Sequence, residues 1–130
     1  MDFKNESYSL AKESLKEFYR AVKRMWCPAL SDHIIFDKNG LRHLIGKGKI
    51  IRPKSEQKRR FRLFRFVPEI LSDPNADYVC EIKHIDEKPV RYWVFNKLVD
   101  GLLIRVVIKQ TPNGKKRFLS VYEKKQKSPQ

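Results

Sequence analysis

The sequence predicts an α+β fold, with N-terminal helices packed on one face of a four-stranded antiparallel β-meander. Two observations carry this expectation. The apolar residues of the first seventy positions recur at three- and four-residue spacing, and from Tyr78 onward the period drops to two. In the second half, the connections "DEKP", "DG" and "TPNG" are short enough for hairpins, and Asp-Gly is a strong type I′ signal.

Taken in order, Ala11, Leu15, Phe18, Val22 and Met25 give a helix from about Ser7 to Trp26 with one buried stripe, ended by Pro28. "HIIF" reads as a short strand. Asp37 then caps a short helix whose Leu41, Leu44 and Ile45 share a face, with Gly46 as the stop. "RPKSEQKRRFRLFRFVPEILSD" reads as a third helix from Ser55, with Phe61, Phe64, Val67, Ile70 and Leu71 inward and a kink expected at Pro68. Lys58, Arg62 and Arg65 form a separate stripe on it, flanked by Arg59 and Arg60. The strands are expected at Tyr78 to Ile85, Val90 to Val99, Leu102 to Ile108 or Gln110, and Lys115 to Glu123. All this falls in one domain over 1–124: an N-terminal helix in 1–27, a short strand and helices in 33–72, the sheet in 78–123. A flexible basic tail is expected over 125–130.

Composition narrows the partners. Twenty-nine Lys and Arg against 15 Asp and Glu leave a net charge of +14 over 130 residues, a field that attracts polyanions. A nucleic acid is the expected partner. No apolar run approaches the roughly 20 residues of a membrane span, and no basic helix with a fully apolar opposite face suggests membrane binding. The start, "MDFKNESYSLAKE", lacks the basic and apolar parts of a secretory signal, so a cytoplasmic protein is expected. Cys27 and Cys80 stand far apart without a CxxC, which points to two reduced, partly buried thiols, and no cofactor or metal is expected.

Hairpin arithmetic assigns the sheet faces. If Asp100-Gly101 is a two-residue turn, Phe95 lies opposite Val106 and Trp93 opposite Ile108, giving an apolar face. If "TPNG" is a four-residue loop, Gln110 pairs with Lys115, and Leu119 and Val121 join that face; a three-residue bulged loop at "PNG" would swap the last strand and mix Arg117 with Leu119 and Val121, so the cleaner register is preferred. The opposite face then holds Tyr92, Val94, Asn96, Arg105, Val107, Lys109, Lys116, Phe118, Ser120 and Tyr122, with Arg105 across from both Asn96 and Ser120; Glu81 and Lys83 extend it. Rings interleaved with cations suit unstacked bases and phosphates. A solvated sheet face is the plain alternative.

In "LRHLIGKGK", His43 lies about 200° around the helix axis from Leu41, away from the apolar stripe, which leaves a surface histidine or a role in a cleft. RNA can be cut without metal when one group takes the 2′-hydroxyl proton, another protonates the departing oxygen, and cations hold the phosphate. His43 or Glu81, as possible general base, offers the proton transfer. Arg105 and Lys109 offer phosphate binding, Ser120 a hydrogen bond, Tyr92 and Tyr122 stacking, and Arg59, Arg60, Arg62 and Lys116 substrate binding.

With "GLRHLI", "EQKRRFRLFRFVPEIL", "IRVVIKQ" and "KKRFLSVYEK" in this order, the chain from about Ile34 to Lys124 resembles the Barnase–EndoU–Colicin–RelE-like ribonucleases, especially their phage and mobile-element branch. The resemblance implies a site at His43, Lys109 and Ser120, and metal-independent RNA cleavage leaving a 2′,3′-cyclic phosphate. It also implies a toxin, often controlled by an inhibitor protein that would be acidic, or a phage or mobile-element nuclease; the expected partner is RNA, such as tRNA or mRNA. Unlike barnase-type members, the last strand has no histidine, so Lys109 or His43 would have to serve as general acid. The alternatives are a non-catalytic nucleic-acid-binding module using the same face, and an interaction protein docking an acidic partner.

Overall fold

In the computed structural model, which describes residues 8–47 and 50–124, the chain between Lys88 and Gln110 forms two paired strands of the sheet. Strands β5 (Asp77–Ile85), β6 (Lys88–Val99), β7 (Leu102–Gln110) and β8 (Arg117–Lys124) form the expected meander. Asp86 and Glu87 turn the first hairpin and Asp100 and Gly101 the second, all at positive φ, as two-residue hairpin turns require. Phe95 faces Val106 and Trp93 faces Ile108, as the Asp-Gly turn predicts.

The sheet is larger than a four-stranded meander. The expected first helix stops early: α1 is Tyr8–Ala21, and Arg24–Cys27 is a strand, β1. Met25 and Trp26 continue the helical spacing by coincidence; Trp26 lies across from His33, their rings 5.1 Å apart. After a single turn of 3₁₀ helix at Pro28–Leu30, β2 (Asp32–Ile35) pairs antiparallel with β1 and parallel with β8, at Ile35–Arg117. The result is a six-stranded mixed sheet in the order β1-β2-β8-β7-β6-β5. Two short strands, β3 (Gly46–Lys47) and β4 (Ile50–Ile51), form a separate ribbon.

Asp37 caps α2 (Lys38–Ile45) as expected, its Oδ1 accepting from the amides of Asn39 and Gly40. The third helix divides into α3 (Lys54–Phe64) and α4 (Val67–Ser72). Pro68 sits in the first turn of α4, where its missing N–H costs no helical bond, so it starts a helix rather than kinking one. No helix among the described residues is long and apolar enough to cross a membrane. Both cysteines are free, but Cys80 is exposed and only Cys27 is buried. The expected basic tail, 125–130, lies outside the described residues.

The core lies between the sheet's inner face and the helices. Phe95, Ile104, Val106, Ile108, Phe118 and Val121 meet Leu15, Leu44, Phe61, Phe64, Val67, Ile70 and Leu71. At its centre, Phe118 stacks on Phe36 at 5.4 Å and meets Phe64 edge-on at 5.3 Å, with Phe18 and Tyr19 completing the cluster.

Phe118 was expected on the opposite face, and a bulge explains the difference. Gln110 does not pair with Lys115. Val106 faces Val121 and Val107 faces Ser120, but Ile108 faces Phe118, so Leu119 is the extra residue between them. That residue reverses the facing of everything before it in β8. Phe118 turns inward, and Lys116 follows to the inner side, its Nζ 5.1 Å from the Trp93 ring and 2.8 Å from Asp32 Oδ2. Arg105 faces Tyr122, not Ser120. Phe118→Ala should therefore cost about 3–5 kcal/mol, lowering the melting temperature by roughly 10–20 °C. A loss below about 1 kcal/mol, typical of an outward-facing ring, would contradict this register.

Candidate functional site

The outer face of the meander, from β5 to β8, is the floor of a groove of about 490 Å³. By the period of two, Glu81 and Lys83 come from β5, Tyr92 and Val94 from β6, Arg105 and Val107 from β7, and Ser120 and Tyr122 from β8. Helices form the wall. Because β8 touches β2 at a single pair, the rest of its outer edge is open, and α2 and α3 pack along it. His43 of α2, Arg52 ahead of α3 and Arg60 of α3 thereby reach over the edge to the outer face.

A glycine allows the approach of α2. A Cβ on Gly40 would stand 2.6 Å from the Phe118 carbonyl oxygen and 2.9 Å from the Tyr19 hydroxyl, closer than side-chain carbons come to such atoms. His43 lies one helical turn further on and is carried to the groove by that contact. The far end of α2 is held by a relay: Tyr8 Oη donates to Gln57 Oε1 (2.7 Å), Gln57 Nε2 to the Arg52 carbonyl (2.7 Å), and Arg52 Nε to the His43 carbonyl (3.2 Å). Gln57 is buried, so its amide is satisfied within the protein at both ends.

Of the three helix arginines expected to bind substrate, the groove takes one. Arg60 Nη1 donates to Ser120 Oγ (2.8 Å) and to the Val121 carbonyl (3.3 Å), Nε to Glu56 (3.2 Å), and the guanidinium lies 5.9 Å from the Tyr122 ring centre. Arg59 is exposed and Arg62 half-buried, and neither lines the groove, since one and two residues along a helix turn a side chain about 100° and 200° away. Arg105 Nε donates to Asn96 Oδ1 (2.9 Å), its expected cross-strand neighbour. Lys116, turned inward by the bulge, is not part of this surface.

Lys109 stands just outside. It lines an adjoining pocket with Asp37, Asn39 and Arg117, and the bulged Leu119 lies between the two spaces. Tyr92 spans the boundary, with Lys83 Nζ 5.2 Å and Lys109 Nζ 5.9 Å from its ring centre. The sequence-expected His43, Ser120, Arg105, Tyr92, Tyr122, Arg60 and Glu81 share one groove, and Lys109 flanks it.

Arg52 was missed. It lies in the irregular link before Pro53, where periodicity says nothing, and only its place in the cation-rich stretch after His43 marked it. Burial first, and then the neighbouring Arg60 guanidinium, push its pKa down, against a smaller opposite pull from Glu56. An arginine stays charged through such a shift. The groove thus holds the guanidiniums of Arg52, Arg60 and Arg105 with Lys83, against Glu81, and two of those guanidiniums repel each other across partly dry space. Among the described residues, no three of His, Cys, Asp and Glu gather into a metal-holding group.

Compared with known proteins, the chain matches no family model, no curated protein and no solved structure.

Proposed function

We propose that this protein is a metal-independent endoribonuclease, related in design to the Barnase–EndoU–Colicin–RelE-like enzymes. One observation carries the reading: a single groove holds two proton-transfer groups, His43 and Glu81, among four cations and two tyrosine faces. In the proposed step one of the two, His43 or Glu81, takes the proton of an RNA 2′-hydroxyl. The 2′-oxygen bonds to the adjacent phosphorus, the bond from phosphorus to the 5′-oxygen breaks, and the other group gives that oxygen a proton. The products are a 2′,3′-cyclic phosphate and a 5′-hydroxyl. Arg60, Arg105 and Arg52 stabilise the charge on the crowded phosphate, and Tyr92 and Tyr122 offer faces for the flanking bases. An acidic inhibitor protein is the partner that the same field would attract.

A second reading has its own support. Ser120 Oγ is already engaged by Arg60, and Lys109 lies across the Leu119 bulge, so two residues assigned to the site by resemblance are not free-standing groups facing a phosphate. A non-catalytic RNA-binding module fits that arrangement. Incubation of end-labelled single-stranded RNA with the protein in excess chelator separates the two. The expected result is cleavage with cyclic-phosphate ends; bound but intact RNA would decide for the binding module.

A further inference from the structure

Strand β5 ends the sheet, and among the described residues no strand pairs with its outer edge. All nine of its residues are exposed, whereas its neighbour β6 buries Val90, Trp93 and Phe95. Four of the nine are large hydrophobics: Tyr78 is 38% exposed, Val79 54%, Ile82 53% and Ile85 44%. Edge strands usually carry a device against pairing with another chain, such as a proline, a bulge or short length. β5 has no proline and no bulge and is nine residues long; of the charged side chains that also guard edges it carries Asp77, Glu81 and Lys83. It runs in unbroken register with β6 from Asp77–Asn96 to Ile85–Lys88.

We propose that β5 pairs antiparallel with β5 of a second copy, about a two-fold axis at Ile82, joining two six-stranded sheets into one of twelve. The side-chain order selects this occupant and this register. A two-fold axis perpendicular to the sheet sets residues of the same face opposite each other. Centred on Ile82, it places Glu81 opposite the partner's Lys83 and Lys83 opposite the partner's Glu81. Val79 then meets the partner's Ile85 on the same face, and Ile82 meets its own copy on the other. Moving the axis by one residue, to Glu81 or Lys83, sets like charges face to face, which destabilises a strand pair.

Charge also favours this edge. The chain carries +14, yet the segment from Asp77 to Glu87 holds Asp77, Glu81, Asp86 and Glu87 against one lysine, Lys83. The segment itself is net acidic, so two strongly basic molecules meet here through one of their few acidic stretches. Glu81 and Lys83 line the groove, so the pairing brings two grooves side by side on one face of the joined sheet. The inference stands on β5 and does not depend on what the groove binds.

The test uses the full chain in sedimentation velocity at moderate salt. The expected result is a species of twice the chain mass that dissociates on dilution. Glu81→Lys alone and Lys83→Glu alone should each shift it to monomer, and the double exchange should restore the dimer. Ile82→Cys in a Cys80→Ser background should form a disulfide dimer when diamide takes up the two thiol hydrogens. Wild-type Cys80 should not, because in this register the two copies of Cys80 lie roughly 14 Å apart, beyond disulfide reach. A monomer at all concentrations up to about 100 µM, between the micromolar and millimolar ranges of affinity, would overturn the proposal. So would a dimer indifferent to the single charge changes, or one cross-linked through Cys80. Every substituted side chain is exposed, and circular dichroism confirms that each variant folds.

Discussion

Replacing His43 by alanine should lower the rate of RNA cleavage roughly 100- to 10,000-fold, the range associated with losing a positioned proton-transfer group. The fold should survive, since the residue is half-buried and its helix is anchored by Leu44, by the Asp37 cap and by the close contact at Gly40. Single-turnover kinetics with a melting curve check both halves of the expectation. Glutamine at the same position retains polarity but cannot exchange a proton at neutral pH, so it should be nearly as slow as alanine. RNA affinity should change much less than rate. Wild-type cleavage in both variants would remove His43 from the chemistry and leave Glu81 to be tested in its place.

Arg60→Ala should damage stability and binding together. Arg60 links α3 to the last strand through Ser120 and the Val121 carbonyl, and Ser120 is only 5% exposed. Without the guanidinium those buried acceptors are left unsatisfied, a cost of about 1–3 kcal/mol. The same change removes one cation from the groove, so the dependence of RNA affinity on salt should weaken by roughly one counterion, about 0.7 in slope for a single strand. Lysine should restore the charge and part of the salt dependence but not the stability, because one ammonium cannot reproduce the forked contacts to Ser120, Val121 and Glu56. Chemical denaturation and a salt titration of RNA binding measure the two effects. An Arg60→Ala protein of unchanged affinity and unchanged salt slope would show that the anion binds elsewhere.

The parts of the molecule governed by local rules are legible in its sequence. The Asp-Gly turn and the alternation around it establish the register of β6 on β7, and with it the outward facing of Tyr92 and Arg105. Asp37 at the start of α2 follows from capping chemistry alone. What escapes is set by contacts between distant segments. β1 continues the spacing of α1, and only its pairing with β2 shows it to be a strand. The bulge at Leu119 has no turn residue to mark it; it is selected because it delivers Phe118 to Phe36 and Phe64. Within "KRRFR", the choice of Arg60 over Arg59 and Arg62 depends on how α3 lies along the β8 edge, which periodicity leaves open. Arg52 sits where no period applies.

The late arrival of Phe118 bears on how the chain is made. Phe18, Tyr19, Phe36 and Phe64 all leave the ribosome long before it, and β2 has no inner neighbour until residue 117 is available. During synthesis the N-terminal half therefore presents a sticky, unfinished ring cluster for most of its lifetime, and stable folding waits on a closure between segments some 80 residues apart in sequence. Nascent chains that stop short of residue 117 should depend on chaperones.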